Sequence, residues 1–409
     1  MSNEQQIAQA LHDAPPVALS SLSRLKTAGR APKPDDTWRL PGGTAWVYYG
    51  ERNQGITRPV LLSDGFNTGP SELDLFWEGL ERGAFPLIGE LRRRGRDVIL
   101  LGYEDRSASI LDNAKTATAA ISRAIAERLD GTPLMVGGFS MGGLVTRYAL
   151  AKMEMQRIDH QTAVCWSWDT PHRGAYVPVS LQAFAHYIKK LDSRFSDQMN
   201  SPAARQMLIS HLENWDSVPG TAPERTAFLA ELDKVGGWPR IPRLIGVADG
   251  AGNGHGNGTG PGVTAVRGTG RLITDTDLRT QPKTPDILAA TLRFLTPDIA
   301  KVQAPGVPRA DGAPGGTLDG FKLLADTLNA IAGIGIDIRV DNPVASHCFV
   351  PSVSAVSVRD VSDDNLYTDI GSLSPEQSDL DDFLLSDGNE PHTQISEPLA
   401  TWLLDRLPD

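Results

Sequence analysis

The sequence predicts a protein of the α/β class, with a mostly parallel central sheet covered by helices on both faces. Short, continuous apolar runs such as "PVLLSDG", "RDVILLGYED" and "PLMVGGFS" recur along the chain. Strands buried on both faces have this pattern, because helices cover them from either side. Between the runs lie longer segments with helical spacing, of which "ILDNAKTATAAISRAIAERLDG" is the clearest. This alternation favours a parallel sheet over separate helical and sheet layers.

We predict an N-terminal arm at residues 1–45 and one α/β domain at residues 46–409. The arm is polar and rich in proline, whereas strand-like runs begin at "TAWVYYG". Residues 176–236 have helical patterns without a strand, which predicts a helical cap or lid inserted into the domain. Residues 251–345 are rich in Gly, Pro and β-branched residues, which predicts a second insertion with its own hairpins.

Three further patterns complete the predicted domain. "IPRLIGVADG" predicts a strand after the cap, and "CFVPSVSAVSV" predicts a late strand. "ISEPLATWLLDRL" predicts a closing amphipathic helix, with Ser396 at its N-cap. The acidic stretch around Asp381 and Asp382 is typical of a solvated loop.

Composition and charge exclude several classes of function. The formal net charge of −11 and the absence of a Lys/Arg run argue against nucleic acid as a partner. The two cysteines, Cys165 and Cys348, cannot build a disulfide framework or a zinc cluster. No apolar run is long enough to cross a bilayer, so no integral membrane segment is predicted. The N-terminus lacks a basic start followed by an apolar stretch, so we predict a cytoplasmic protein, with a secreted protein that has lost its leader as the alternative.

The stretch Gly138-Phe139-Ser140-Met141-Gly142 matches the pattern G-x-S-x-G. An apolar run leads directly into it and a helical pattern follows it, which predicts a strand-to-helix elbow. Such an elbow holds its central residue in a strained conformation and exposes it above the carboxyl ends of the strands. The pattern therefore predicts Ser140 as a nucleophile, with a glycine turn whose serine caps the helix as the structural alternative.

A nucleophilic serine needs a base, normally a histidine that is oriented by a carboxylate. His392 lies in a polar loop before the terminal helix, where the base belongs in the chain order Ser, Asp, His. We predict His392 as the base, with His172 and His347 as the alternatives. His347 precedes Cys348, but a zinc site there would need ligands that the sequence does not offer, so no metal site is predicted.

Two aspartates compete for the role of the acid. Asp169 follows the strand-like run "CWSW", and Asp249 follows the run "LIGVA". Either would present a carboxylate at the same sheet edge as Ser140, so position alone leaves the choice open. Asp381 and Asp382 are near His392 in sequence but belong to the acidic stretch that we predict as a loop.

The reaction also needs hydrogen-bond donors for the negative oxygen that forms on the substrate carbonyl. The backbone N–H of Met141, directly after the serine, is one predicted donor. The loop "LLSDGFNTG" supplies the other, because Gly65 lets the backbone approach closely and the Phe66 N–H then points inward. An ordinary turn is the structural alternative for this loop.

At these residues the chain resembles the α/β-hydrolase superfamily, on its lipase and esterase side. The elbow "GFSMGG", the loop "DGF" and the segment "DTPHRGA" occur in the matching order, over roughly residues 45–175 and from His392 to the end. The segments "SWDTPHRGAYVPVSLQ" and "SPAARQML" resemble an uncharacterised bacterial branch of these hydrolases. That resemblance implies Asp169 as the acid in preference to Asp249. Asp64 departs from the pattern, since lipases prefer a histidine there.

The predicted function is a serine hydrolase that cleaves carboxylic esters or thioesters through Ser140, His392 and an aspartate. Its substrate would be a small-molecule or lipid-like acyl ester or thioester. No metal and no organic cofactor are implied, because the three side chains supply both the nucleophile and the base. One alternative keeps the triad but transfers the acyl group, as an acyltransferase or a lactone-forming thioesterase does. A non-catalytic binding protein on a hydrolase scaffold is the alternative from another class.

Overall fold

The computed structural model describes residues 3–14, 29–332, 337–363 and 365–408. Residues 1–2 and 15–28 of the predicted arm, residues 333–336 of the predicted second insertion, and residues 364 and 409 of the predicted domain lie outside the described residues. Among the described residues, no helix combines the length and the apolarity that crossing a bilayer requires.

The strands are β1 (Asp36–Leu40), β2 (Gly43–Tyr48), β3 (Pro59–Ser63), β4 (Asp97–Tyr103), β5 (Leu134–Phe139), β6 (Thr162–Trp168), β7 (Arg243–Ala251), β8 (Thr264–Gly268), β9 (Asp277–Arg279), β10 (Leu288–Leu292), β11 (Ala300–Gln303), β12 (Gly315–Leu318), β13 (Val340–Asp341), β14 (His347–Pro351) and β15 (Asp382–Ser386). Eight of those described form the main sheet in the order β1-β2-β4-β3-β5-β6-β7-β15. Strand β2 runs antiparallel to β1 and β4, and from β4 to β15 all neighbours are parallel.

The α-helices are α1 (Asn3–Asp13), α2 (Leu73–Glu81), α3 (Leu87–Arg93), α4 (Ile110–Glu127), α5 (Met141–Met155), α6 (Val179–Tyr187), α7 (Arg194–Met199), α8 (Pro202–Met207), α9 (Pro223–Lys234), α10 (Gly320–Ala332), α11 (Ser352–Ala355) and α12 (Glu397–Leu404). Short 3-10 helices occupy Asn365–Tyr367, Ile370–Ser372 and Pro375–Gln377.

Two hydrophobic cores lie on the two faces of the main sheet. One core joins the sheet to α4 and α5 and continues under the two insertions. The other joins the opposite face to α2, α3 and α12. The central strands β3, β4 and β5 are buried at every position, as their continuous apolar runs predict. A mostly parallel sheet with helices on both faces confirms the predicted α/β class.

The carboxyl ends of the parallel strands form one edge, and the strand order reverses there between β3 and β5. In open α/β sheets, such a reversal leaves a crevice in which ligands bind. The loop that begins with Asp64 leaves β3 on one side of this crevice, and Ser140 follows β5 on the other. The topology therefore places the loop after β3, which contains the predicted donor Phe66, next to the predicted nucleophile Ser140.

The last strand of the main sheet is not where the sequence pattern predicts it. The segment "CFVPSVSAVSV" forms β14 and α11, and β14 pairs with β12 outside the main sheet. The main sheet instead ends with β15, in the stretch predicted as a solvated loop. Asp382 in this half-buried edge strand pairs with Arg243 and Arg406. These ion pairs compensate the negative charge that, from the sequence alone, argues against a strand here.

The predicted second insertion contains all five strands of an antiparallel sheet, in the order β11-β10-β9-β8-β13. The predicted cap contains α6 to α9 and, among its described residues, no strand. Strand β1 lies inside the predicted arm, yet it pairs along its whole length with β2. The division into arm, cap and insertion stays a prediction.

Candidate active site

Ser140 lies at a sharp turn between β5 and α5. Its φ of 51° and ψ of −125° fall outside the regions that L-residues favour. The flanking glycines are required by space, because a Cβ on Gly138 would lie 2.5 Å from the carbonyl carbon of Gly142. A Cβ on Gly142 would lie 2.5 Å from the Ser63 carbonyl oxygen. The pattern G-x-S-x-G is therefore a packing requirement of this elbow.

His392 lies between the serine and a carboxylate. Its Nε2 is 2.7 Å from Ser140 Oγ, and its Nδ1 is 2.6 Å from Asp169 Oδ2. Because an ionised carboxylate only accepts, Nδ1 carries the proton toward Asp169, which leaves Nε2 to accept the hydroxyl proton of Ser140. The ring of Phe349 packs edge-on against the imidazole, with centroids 4.9 Å apart, and fixes its plane.

Asp169 is fully buried at the end of β6 and has a positive φ of 43°. Its Oδ1 accepts the backbone N–H of Asp249, and its Oδ2 faces His392. Gly316 of β12 packs against this carboxylate so closely that a Cβ there would lie 1.9 Å from Oδ2. The carboxylate is therefore held from the main sheet on one side and from β12 on the other.

Asp249, the alternative acid, is buried beside Asp169 but forms no hydrogen bond with the imidazole. Its Oδ1 accepts from Trp168 Nε1 at 3.2 Å, and its Oδ2 accepts from the backbone N–H of Thr393 at 2.6 Å. Burial, and next the negative charge of Asp169, raise the pKa of Asp249 well above its ordinary value. The geometry joins Asp169 to the histidine ring and Asp249 to the backbone of the histidine loop.

The structure does not bring the two alternative histidines to Ser140. His172 Nε2 is 3.0 Å from Ser167 Oγ, and burial, followed by the nearby Arg147, lowers the His172 pKa well below its ordinary value. His347 lies in β14, where its Nδ1 is 3.0 Å from its neighbour's backbone carbonyl oxygen. Burial lowers the His347 pKa to about 4.

The two predicted donors for the substrate oxygen have backbone N–H groups without a hydrogen-bond partner in the described part of the chain. They belong to Met141, the first residue of α5, and to Phe66 in the loop after β3. The first N–H groups of a helix have no acceptor within it and so are available to an anion. Gly65 brings the loop to the elbow, since a Cβ there would lie 3.2 Å from Ser140 Cβ.

A network that the sequence did not reveal holds this loop. The fully buried carboxylate of Asp64 accepts from the Gly65 N–H at 2.8 Å and from Ser71 Oγ at 2.6 Å. Arg106, also buried, lies 3.6 Å from the same carboxylate and donates to the carbonyl of Thr68 at 3.1 Å. Nothing in the sequence marks Arg106. It lies just after β4, about forty residues after Asp64 in the chain, and contacts the loop only in the folded structure.

The loop that carries His392 is held by hydrogen bonds to β12, which the sequence does not indicate. The His392 N–H donates to the carbonyl of Thr317 in β12, and the Thr317 N–H donates to the carbonyl of Glu390. Asn389 accepts the N–H of Gly315, at the start of the same strand. A strand from the predicted second insertion thus carries the loop of the predicted base.

Asp169, Asp249 and His392 form a cluster whose possible ligand atoms lie within 4.8 Å of one another. Every one of these atoms already has a hydrogen-bond partner among the described residues. A metal ion would have to break the contacts of His392 with Ser140 and Asp169 in order to bind. The donor set fits a proton-transfer chain better than a metal centre.

Ser140 and His392 are nearly enclosed, at 5% and 2% exposure. A small cavity of about 220 Å³ adjoins the imidazole and is lined mainly by the end of α2 and by residues 391–395. Glu78 and Arg82, which form an ion pair at 2.8 Å, line one side of it. No residue of the predicted cap lines this cavity.

No protein-family model matches the chain, and no curated protein matches it. Solved structures similar to it include the mature lipase BlEst2 of Bacillus licheniformis, at 12% identity and a TM-score of 0.33, covering 51% of this chain and 71% of that one. The propeptide form of that lipase has 13% identity and a TM-score of 0.35, and the match covers 54% of this chain but only 41% of that one. A hyperthermophilic esterase of the archaeon Pyrobaculum calidifontis has 14% identity and a TM-score of 0.35, and the match covers 61% of this chain and 79% of that one. At such low similarity, the side-chain geometry has to carry any functional proposal.

Proposed function

We propose that this protein is a serine hydrolase that cleaves carboxylic esters or thioesters through a covalent acyl-enzyme. The observation that carries the proposal is the imidazole of His392, hydrogen-bonded to Ser140 at 2.7 Å and to Asp169 at 2.6 Å. A serine is activated when a base accepts its proton and a carboxylate orients that base, and these three groups are arranged in that way. The strained backbone of Ser140 supports the same proposal, since such strain concentrates at reactive residues.

In the first half of the reaction, His392 Nε2 takes the hydroxyl proton as Ser140 Oγ bonds to the carbonyl carbon. The carbonyl oxygen becomes negative and accepts from the N–H groups of Met141 and Phe66. The tetrahedral intermediate then breaks its bond to the alcohol or thiol, which leaves with the proton from His392. Asp169 stabilises the imidazolium while it exists.

In the second half, water replaces the leaving group. His392 takes a proton from this water, whose oxygen bonds to the acyl carbon. The bond to Ser140 Oγ breaks, the serine recovers its proton from His392, and a carboxylic acid is released. The two steps together consume one water and need no redox partner.

The cavity beside His392 supports a substrate with a small group on that side. Its volume of about 220 Å³ is below the range usual for drug-sized ligands.

We also propose that residues 176–236 form a cap over the domain, and that "DTPHRGA" places the chain in the bacterial branch that it resembles. A panel of p-nitrophenyl esters of rising chain length, with one thioester, identifies the acyl group.

Labelling with a fluorophosphonate tests the proposed nucleophile. We expect a single adduct on Ser140 of the folded wild type and none in the Ser140→Ala variant. A folded wild-type protein that takes up no label would contradict catalysis and favour a binding protein. Product analysis with a competing alcohol or amine then separates hydrolysis from acyl transfer.

A further inference from the structure

A second cavity, separate from the candidate active site, lies between α5, the loop after β6 and α9. Its volume is about 350 Å³. Three arginines line it, one from each of these elements: Arg147, Arg173 and Arg225. Buried guanidinium groups normally have carboxylate partners, because an unpaired charge is costly to remove from water.

Arg147 is buried, with 4% of its surface exposed, and has no carboxylate within ion-pair distance among the described residues. Its Nε donates to the Gly237 carbonyl, its Nη1 lies 3.5 Å from His172 Nδ1, and its guanidinium stacks 3.6 Å from the centre of the Trp238 ring. A guanidinium has five N–H donors. Three therefore remain without an acceptor in the described part of the chain.

Arg225 has 8% of its surface exposed and likewise has no carboxylate partner among the residues described. It donates to the carbonyls of Gln206, Met207 and Arg173, which leaves two of its five N–H groups. Arg173 does pair with a carboxylate, Asp379, through Nη2, but its Nη1 has no hydrogen-bond partner among the described residues. All three side chains thus keep donors that a ligand could satisfy.

The charge around the cavity indicates what such a ligand carries. His172 adds no charge, because burial and then Arg147 lower its pKa well below the ordinary value. Of the lining residues, the three arginines are positive and Asp233 is negative, which leaves a net charge of two positive units. A phosphate group carries between one and a half and two negative charges near neutral pH and has several acceptor oxygens. Arginine is well suited to bind these oxygens in pairs.

We propose that this cavity is a binding site for a dianionic phosphate group, held by Arg147, Arg173 and Arg225. The cavity has room for the organic part of a small phosphate monoester as well as for the phosphate itself. The site does not involve Ser140, His392 or Asp169, so it stands or falls separately from the proposed hydrolase activity. It links α5, which begins directly after Ser140, and the loop after β6, which begins with Asp169, to α9 in the predicted cap.

Isothermal titration of the full chain at pH 7.5 and low salt tests the site, first with inorganic phosphate. We expect saturable binding of one phosphate per chain with a Kd of about 1 mM or tighter. Arg147→Met and Arg173→Met should each weaken binding by about tenfold or more. Arg173 is partly exposed, so its variant serves if Arg147→Met fails to fold, as judged by circular dichroism.

Arg359→Met is the matched control, because Arg359 also pairs with Asp379 but does not line the cavity. Its binding should equal that of the wild type, as should the binding of Ser140→Ala. Glycerol 3-phosphate that binds more tightly than free phosphate identifies an ester ligand, and weaker binding identifies free phosphate. The proposal is wrong if neither compound binds saturably up to about 10 mM. It is also wrong if binding survives in Arg173→Met or is lost in Arg359→Met.

Discussion

The two buried aspartates near His392 differ in what they contact, and this difference makes their roles testable. Asp169 contacts the imidazole, so its replacement by Asn removes the acceptor that fixes the ring's proton. We expect Asp169→Asn to lower kcat by about 10⁴-fold, with the fold intact. Asp249 accepts two N–H groups and has a raised pKa, so an amide oxygen can replace its carboxyl oxygens in part. Asp249→Asn should lower kcat by less than about tenfold.

Steady-state kinetics with one p-nitrophenyl ester measures both variants, and circular dichroism checks their folding. Equal losses would show that the two carboxyls act as a unit. A larger loss in Asp249→Asn would transfer the role of the acid to Asp249.

The positive φ of Ser140 predicts a conflict between function and stability at one residue. Glycine adopts such a conformation readily, whereas alanine is strained there as serine is. We expect Ser140→Gly to be about 1 kcal/mol more stable than Ser140→Ala, as measured by urea unfolding. At Ser122, an exposed position inside α4, the order of the Gly and Ala variants should be reversed. A Ser140→Gly protein no more stable than Ser140→Ala would argue against strain at the elbow.

At the scale of elements, the loop after β3 depends on an arginine from the segment after β4. Arg106 holds the carboxylate of Asp64 and the Thr68 carbonyl, and the loop between them carries the Phe66 N–H. We expect Arg106→Met to lower kcat by about 10²-fold with little change in KM, because losing one donor to the oxyanion costs that much. Added guanidinium ion should restore part of the lost activity, because it can occupy the place of the missing side chain beside Asp64.

Arg123→Met, on the exposed side of α4, is the control for this loop. Among the described residues, Arg123 pairs with Glu127, one turn away, and stacks on Trp38, far from the Asp64 network, so its replacement should leave kcat unchanged. An Arg106→Met protein with wild-type kcat would mean that the Phe66 N–H is not a donor or does not depend on this network.

Elements with a repeating pattern were predictable, and elements defined by partners were not. The continuous apolar runs of β3, β4 and β5 follow from burial on both faces of the sheet. The helical spacing of α4 follows from burial on one face of the helix. Strand β15 was missed because its acidic flank is typical of a loop, and its charge is satisfied by arginines far away in sequence. The segment around β14 has a strand pattern, but nothing local indicates that it pairs with β12 instead of the main sheet.

The site shows the same limit at the level of single residues. Ser140 has a motif and His392 has a place in chain order, so both could be proposed from the sequence. Asp169 and Asp249 end neighbouring strands, and only the distances to the imidazole distinguish them. The support that Thr317 gives to the histidine loop has no local signal, because it joins segments about seventy residues apart.

At the scale of the whole molecule, stability should depend on pH through Asp311, which is fully buried next to β12. Burial raises its pKa to about 7, while in the unfolded chain it is near 3.9. Between pH 4 and 7 the unfolded chain releases this proton and the folded protein keeps it, so rising pH lowers the free energy of unfolding. Three pKa units correspond to roughly 4 kcal/mol.

Asp311→Asn removes this titration while its amide oxygen can still accept the N–H of Gln281. We expect the variant to be more stable than the wild type at pH 8 by up to roughly 4 kcal/mol, with the difference shrinking toward pH 4. Urea unfolding at several pH values measures it. A difference that stays the same at pH 4.5 and 8 would show that Asp311 is not protonated in the folded protein.

The bond between Thr317 and the His392 loop also bears on how the protein is made. Ser140 leaves the ribosome 252 residues before His392, and β12 leaves it between the two. A growing chain can therefore form the elbow and even the β12 support while the base is still unsynthesised. If the proposed function is right, ester cleavage begins only when the segment that carries His392 has been made and docks on β12. Any chain cut short before residue 392 lacks the proposed base and should be inactive.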